Sequence, residues 1–300
     1  MTNLEQPGPI LVSGATGKQG GATARALLLA GATVHALVRN PDTDAARKIE
    51  DLGARLVIGD LDDAASILAA CSGVYGVFSV QNPDFNDLEA DTEEVRGRNL
   101  IKAAQAAGVT HFIQTSATGV GEYYRQSGWG EQRRDNNSLV IKGELEDRVR
   151  AAGFPFWTIL RPTFFMENLP FVMRGDRLVT AYDAGSPVPL IAADDIGVAA
   201  ASAFSNRERF HGVSIELAGD YLSMPEVAKI LSEAWGRTIE APAMTPGQVL
   251  AEGFFLPMVE AQEWHNEVGL PARPEVARSF GLKTTTLQKW ATNNADAFAG

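Results

Sequence analysis

Only one cysteine, Cys71, occurs in the 300 residues, so no internal disulfide can staple the fold. A cytoplasmic setting is expected, with Cys71 a small core residue near the end of a helix. No His-Glu-x-x-His or cysteine pair is present, and the four histidines, His35, His111, His211 and His265, are scattered, so no metal site is expected. His35 and His111 fall in or beside buried strands and read as satisfied core histidines. A Gly-x-Ser-x-Gly nucleophile turn is also missing. Positive charge is scarce: 26 Lys and Arg against 37 Asp and Glu give a net charge of −11, with no dense basic run. That argues against direct nucleic-acid binding, which needs concentrated positive surface. No apolar run approaches membrane-spanning length, and the first nine residues lack the basic and apolar regions of a leader. A soluble, unprocessed protein with no membrane partner is the expectation.

What is present begins with residues 10–30, a short apolar strand, a glycine turn and an apolar-faced helix. Gly14, Gly17 and Gly20 are spaced three apart, which lets the backbone turn tightly, approach a pyrophosphate and pack the helix on its strand. With Thr16, Lys18 and Gln19 they form the expected dinucleotide-phosphate turn at a helix N-terminus. A P-loop is excluded, since Val12 and Gln19 stand where that motif needs Gly and Ser or Thr.

Strands are expected at 33–38, 55–58, 74–80, 111–115 and 156–160, alternating with helices at 42–52, 62–71, 87–107 and 138–152. This alternation predicts an α/β fold: a Rossmann-type doubly wound parallel sheet, residues 1–160, with a smaller C-terminal α/β lobe. Residues 161–300 are mainly a substrate or partner lobe, with some segments returning to the sheet. They include helices at 194–204, 224–235 and 284–298 and a strand at 213–217. Residues 118–137 break the rhythm at the ligand edge and read as a lid ordering over the cofactor.

Strand two ends at Arg39, where an NAD enzyme places a ribose-binding acid; a guanidinium suits a 2′-phosphate instead, so NADP(H) is preferred and NAD(H) possible. A plain surface arginine is the alternative. Asp60 and Leu61, ending strand three, are placed to receive adenine, unless Asp60 only shapes its turn. Val80, Gln81 and Thr115 end strands four and five and should border the nicotinamide half.

Gly14–Gly20, Arg39, Lys142, the run Arg161-Pro162-Thr163-Phe164-Phe165-Met166-Glu167-Asn168, Asp194-Asp195-Ile196-Gly197 and Phe280-Gly281 together resemble the NmrA-like family of atypical short-chain dehydrogenase/reductases. The resemblance implies a cofactor contact for Pro162 and Phe164 and a lysine reaching the nicotinamide ribose at Lys142. It also implies a hydroxyl for a substrate carbonyl at Ser116. Solvated Lys142 and backbone-satisfied Ser116 are the alternatives. No Tyr-x-x-x-Lys occurs, and Ser138 takes the tyrosine's place. The aromatic second half, with Trp157, Phe164, Phe254 and Trp264, suits a small flat aromatic or quinone-like substrate. An oxidoreductase is the leading expectation; a redox-sensing regulator with a protein partner is the other.

Overall fold

Ile10, Leu11 and Val12 are fully buried, and a strand without a polar face belongs inside a sheet covered on both sides. A computed structural model, describing residues 8–82, 87, 90–120 and 138–295, places them there as β1 (Ile10–Val12). There follow α1 (Lys18–Leu29), β2 (Val34–Val38), α2 (Asp44–Asp51), β3 (Arg55–Ile58), α3 (Ala64–Cys71), β4 (Gly76–Ser79), α4 (Thr92–Ala106), β5 (His111–Thr115), α5 (Ser138–Ala151) and β6 (Phe156–Pro162). Next come β7 (Phe164–Phe165), a 3-10 turn (Met166–Val172), β8 (Met173–Arg174), β9 (Arg177–Leu178), β10 (Val188–Ile191), α6 (Ala193–Ser205), α7 (Arg207–Phe210), β11 (Val213–Leu217) and β12 (Asp220–Leu222). The chain closes with α8 (Met224–Trp235), α9 (Pro246–Ala251), α10 (Leu256–Val268), α11 (Pro274–Ser279) and α12 (Leu287–Asn293).

The main sheet has the order β11-β6-β5-β4-β1-β2-β3, and from β6 to β3 every neighbouring pair is parallel. The chain runs outward from β1 to β3, then crosses back to put β4 on the other side of β1. The carboxyl ends of β1 and β4 therefore border the switch point where a doubly wound sheet binds ligands. This is the expected Rossmann-type α/β architecture.

Two compact units divide the chain: Met1–Arg161 with Ala193–Ile215, and Pro162–Ala192 with Glu216–Gly300. In the first, α6 lies against the glycine helix α1. A Cβ on Gly197 would stand 2.4 Å from the Ala22 carbonyl oxygen, and Arg25 Nη2 reaches Asp194 Oδ1 at 2.7 Å. α4 and α5 also approach closely, since a Cβ on Gly97 would meet Leu145 Cδ2 at 2.5 Å. In the second unit, β12, β10 and β7 form a small sheet over a core that includes Met166, Leu190, Leu231 and Trp290.

Several boundaries differ from the sequence reading. Asp63, not Asp62, caps α3, its carboxylate accepting from Ala65 N. Asp62 is instead clamped by Arg96 at 2.9 and 2.7 Å. α4 starts at Thr92 rather than 87, with Glu93 and Glu94 in the first turn where the helix dipole favours acids. The last helix begins only at Leu287, capped by Thr286. Helices α9, α10 and α11 were not expected; each carries proline in its first turn, a start signal easily read as loop composition. The proposed lid lies outside the described residues from 121 to 137.

Candidate functional site

The turn after β1 is built by contacts that tolerate no side chain. Gly14 has φ of 59°, and a Cβ there would lie 2.8 Å from Val80 Cγ1. A Cβ on Gly20 would lie 2.2 Å from the Gly14 oxygen and 2.5 Å from the Ser13 oxygen. Gly17 N closes the turn on Gly14 O at 2.8 Å. Thr16, Gly17 and Lys18 are exposed and Gln19 is half-buried. Gly17 at the N-cap leaves α1 without a side-chain cap. The helix start is thus open to a pyrophosphate, and the glycines fit a dinucleotide. Ser13, which the sequence reading passed over, ties this turn to the end of β4: its Oγ accepts from Val80 N at 2.8 Å and donates to Val80 O at 3.1 Å.

At the adenine side of the sheet, Arg39 is exposed at the end of β2. Asp62 is held below the usual carboxylate range by its hydrogen bond with Arg96, with the charges of Arg96 and Arg39 adding to the effect. The Asp60 carboxylate accepts from Asp62 N at 3.1 Å, so it does shape the turn. Leu61 offers its carbonyl to Asn99 Nδ2 at 2.9 Å.

At the ends of β4 and β5, Val80, Gln81, Thr115 and Ser116 are all buried. Gln81 Nε2 donates to Ser79 Oγ at 2.7 Å, and Thr115 Oγ1 donates to Ser79 O at 3.2 Å. Gln114, another residue the sequence reading missed, donates from Nε2 to Gln81 Oε1 at 3.1 Å. A glutamine inside a strand expected to be buried was the available signal. Ser116 N donates to Leu160 O at 2.7 Å, but its Oγ has no partner among the described residues.

Lys142, one turn into α5, forms an ion pair with Glu93 in the first turn of α4. Glu93 is buried, and the close approach at Gly97 and Leu145, one turn further along each helix, brings the pair together. Lys142 is therefore not a freely solvated helix lysine. Its partner could not be read locally, because the two residues are 49 positions apart.

Pro162 ends β6, and Phe164 begins β7, whose partner is Leu190 of β10. Glu167 accepts from Trp290 Nε1 at 3.0 Å within the second unit, a structural use for part of the Arg-Pro run. Among the described residues, no group of three His, Cys, Asp or Glu side chains could hold a metal, and no helix is long and apolar enough to cross a membrane. Cys71 is buried, which pushes its thiol up to about 12. His111 corrects the sequence reading. It is fully buried, but neither ring nitrogen has a partner among the described residues.

Comparison with known proteins agrees with this architecture. The chain is 29% identical over 303 residues to the NAD(P)H azoreductase of Xenophilus azovorans, covering 96% of this chain and 99% of that protein. The structure is similar to the Escherichia coli NADPH-dependent quinone oxidoreductase complexed with NADPH (TM-score 0.74, 22% identity, 95% of this chain and 99% of that one). It is also similar to NmrA, a negative transcriptional regulator, in complex with NADP (TM-score 0.76, 19% identity, 98% of this chain and 97% of that one). Residues 6–298 match the NmrA-like family, and the chain belongs to that family.

Proposed function

We propose that the protein is an NADP(H)-dependent oxidoreductase that reduces a quinone or a related conjugated aromatic acceptor. The observation carrying the cofactor choice is Arg39, exposed at the end of β2 beyond a glycine turn that tolerates no side chain at Gly20. When bound, NADPH supplies the reducing equivalent. The turn takes the pyrophosphate, Arg39 takes the 2′-phosphate, and Lys142 with Ser116 holds the geometry at the nicotinamide end. Ser138 stands in the tyrosine's place, and a serine hydroxyl is too weak an acid for that role, which favours an acceptor whose reduced oxygen takes its proton from water. The azoreductase and quinone oxidoreductase among the similar proteins support this acceptor class.

Titration is expected to show NADP(H) binding more tightly than NAD(H) by about tenfold to a hundredfold, the equivalent of about 1.5–3 kcal/mol for charge-assisted bonds. Arg39→Ala should remove most of that difference; equal affinities in the wild type would overturn the Arg39 assignment.

The reaction itself is tested by NADPH oxidation with a panel of quinones and enones. Turnover above buffer, lowered by Lys142→Ala, is expected. The likeness to the regulator NmrA supports a second reading, a cofactor-responsive switch. Buffer-level turnover across the panel, with a cofactor-dependent change in association state, would favour that reading over the enzyme.

A further inference from the structure

Three side-chain atoms at the carboxyl end of β5 are buried without a partner among the described residues: Gln114 Oε1, Ser116 Oγ and Thr118 Oγ1. Gln114 is only 2% exposed. Its amide orientation follows from its surroundings. Nε2 lies 2.7 Å from the Thr115 carbonyl and 3.1 Å from Gln81 Oε1. A backbone carbonyl can only accept, so the nitrogen belongs there, both its hydrogens are used, and Oε1 is the open end. The bond from Gln81 to Ser79 extends this lock back to β4.

Side chains alternate along a strand, so Phe112 and Gln114 share one side of β5, and Ser116, just past its end, follows on that side because its N–H continues the ladder to Leu160 O at 2.7 Å. Phe112 belongs to the same buried cluster as Leu145 and Val149 of α5. The parallel crossover starts α5 near the carboxyl end of β5, and with it Lys142. The unfilled acceptor and the hydroxyl of Ser116 thus stand on the same side of the sheet as Lys142, at its ligand edge. A buried acceptor is costly until a donor reaches it, and here the protein supplies none among the described residues.

We propose that Gln114 and Ser116 together read an amide-like edge, an N–H donor beside a carbonyl oxygen. The N–H donates to Gln114 Oε1, and the carbonyl accepts from Ser116 Oγ. The inference rests on the reductase reading above. Two molecules of the reaction could present this edge: the carboxamide of the nicotinamide, or an acceptor with an amino group beside its quinone carbonyl.

The test compares matched pairs that differ in the donor. One is NADP with its acetylpyridine analogue, in which a methyl replaces the amide nitrogen. The other is menadione with the analogue carrying an amino group in place of the methyl. Binding is followed by calorimetry for the first pair and by tryptophan quenching for the second. The wild type should prefer the donor-bearing member of at least one pair by about tenfold, and Gln114→Met should bring that ratio close to unity. A response of the NADP pair identifies the cofactor carboxamide as occupant, and a response of the menadione pair identifies the substrate. Gln114→Asn keeps an amide but withdraws its oxygen by one methylene, so it should lose the same preference and carries the test if the Met variant does not fold. Absence of a donor preference in the wild type, or its survival in either folded variant, overturns the proposal while leaving Arg39-dependent NADP(H) binding intact. Failure of the wild type to bind NADP(H) at all overturns the reading on which the proposal rests.

Discussion

Replacing Gly20 with alanine is expected to abolish measurable NADP(H) binding and to lower the unfolding free energy by about 3 kcal/mol or more. The added methyl would sit 2.2 Å from the Gly14 oxygen, 2.4 Å from the Gly14 carbonyl carbon and 2.5 Å from the Ser13 oxygen. These are backbone atoms, so no rotamer change can make room. Either α1 lifts away from β1, or the turn opens and loses the conformation that receives a pyrophosphate. Gly185→Ala is the matched control, because nothing lies within 4 Å of its added Cβ; it should melt and bind as the wild type does. Thermal unfolding and cofactor titration of both variants provide the check. A Gly20→Ala protein with wild-type melting and affinity would show that the turn does not close as described.

The second large effect is acid sensitivity centred on His111. Its ring is enclosed by Phe204 at 4.8 Å, Phe156 at 6.0 Å and Tyr75 at 6.5 Å between centroids. Burial chiefly, then the charges of Arg207 and His211, drives its pKa from 6.5 down to about 3. The native protein therefore refuses a proton that the unfolded chain accepts throughout this interval. Stability from this group is complete above the unfolded pKa and falls by about 1.4 kcal/mol for each pH unit lost below it, of the order of 5 kcal/mol across the window. Replacement by leucine removes the titration together with two buried nitrogens that have no partner among the described residues. His111→Leu should therefore equal or exceed the wild type in stability at neutral pH, by about 1 kcal/mol, and retain more of it near about pH 5. Urea midpoints at the two pH values decide the matter: a variant as acid-sensitive as the wild type would mean that the proton is taken up elsewhere.

The reasons some features were legible in the sequence and others were not are physical. The sheet was legible because buried parallel strands read as apolar runs and their helices end at glycines. Helix α8 was legible to the residue, since Ser223 and Glu226 form a capping box around Pro225. Local signals of this kind need only neighbouring residues. Choices between competing partners need the folded chain. The sequence reading starts α3 at Asp62, but Arg96, 34 positions away, holds that carboxylate and Asp63 caps the helix instead. Lys142 could be located, but Glu93 could not. His111 looked like an ordinary core histidine, and only the folded surroundings show an aromatic cage with no partner for its nitrogens among the described residues. The elements carrying the candidate site were thus readable, while the Gln81–Gln114 link between two strands was not.

The contact between α1 and α6 has a consequence for biosynthesis. Arg25 and Asp194 are 169 residues apart, and the small-residue face of α1 at Ala22 receives Gly197 rather than anything nearby in the chain. On the ribosome, the glycine helix emerges early but its packing partner emerges late. The whole of the second unit's first segment, Pro162–Ala192, must be translated in between. Until then a strip of alanine and glycine on α1 stays wet, and the nascent first unit remains open to chaperones and to pairing with the wrong surface. Thus the order in which the ribosome delivers the chain, rather than the strength of the turn itself, sets when the nucleotide half becomes complete.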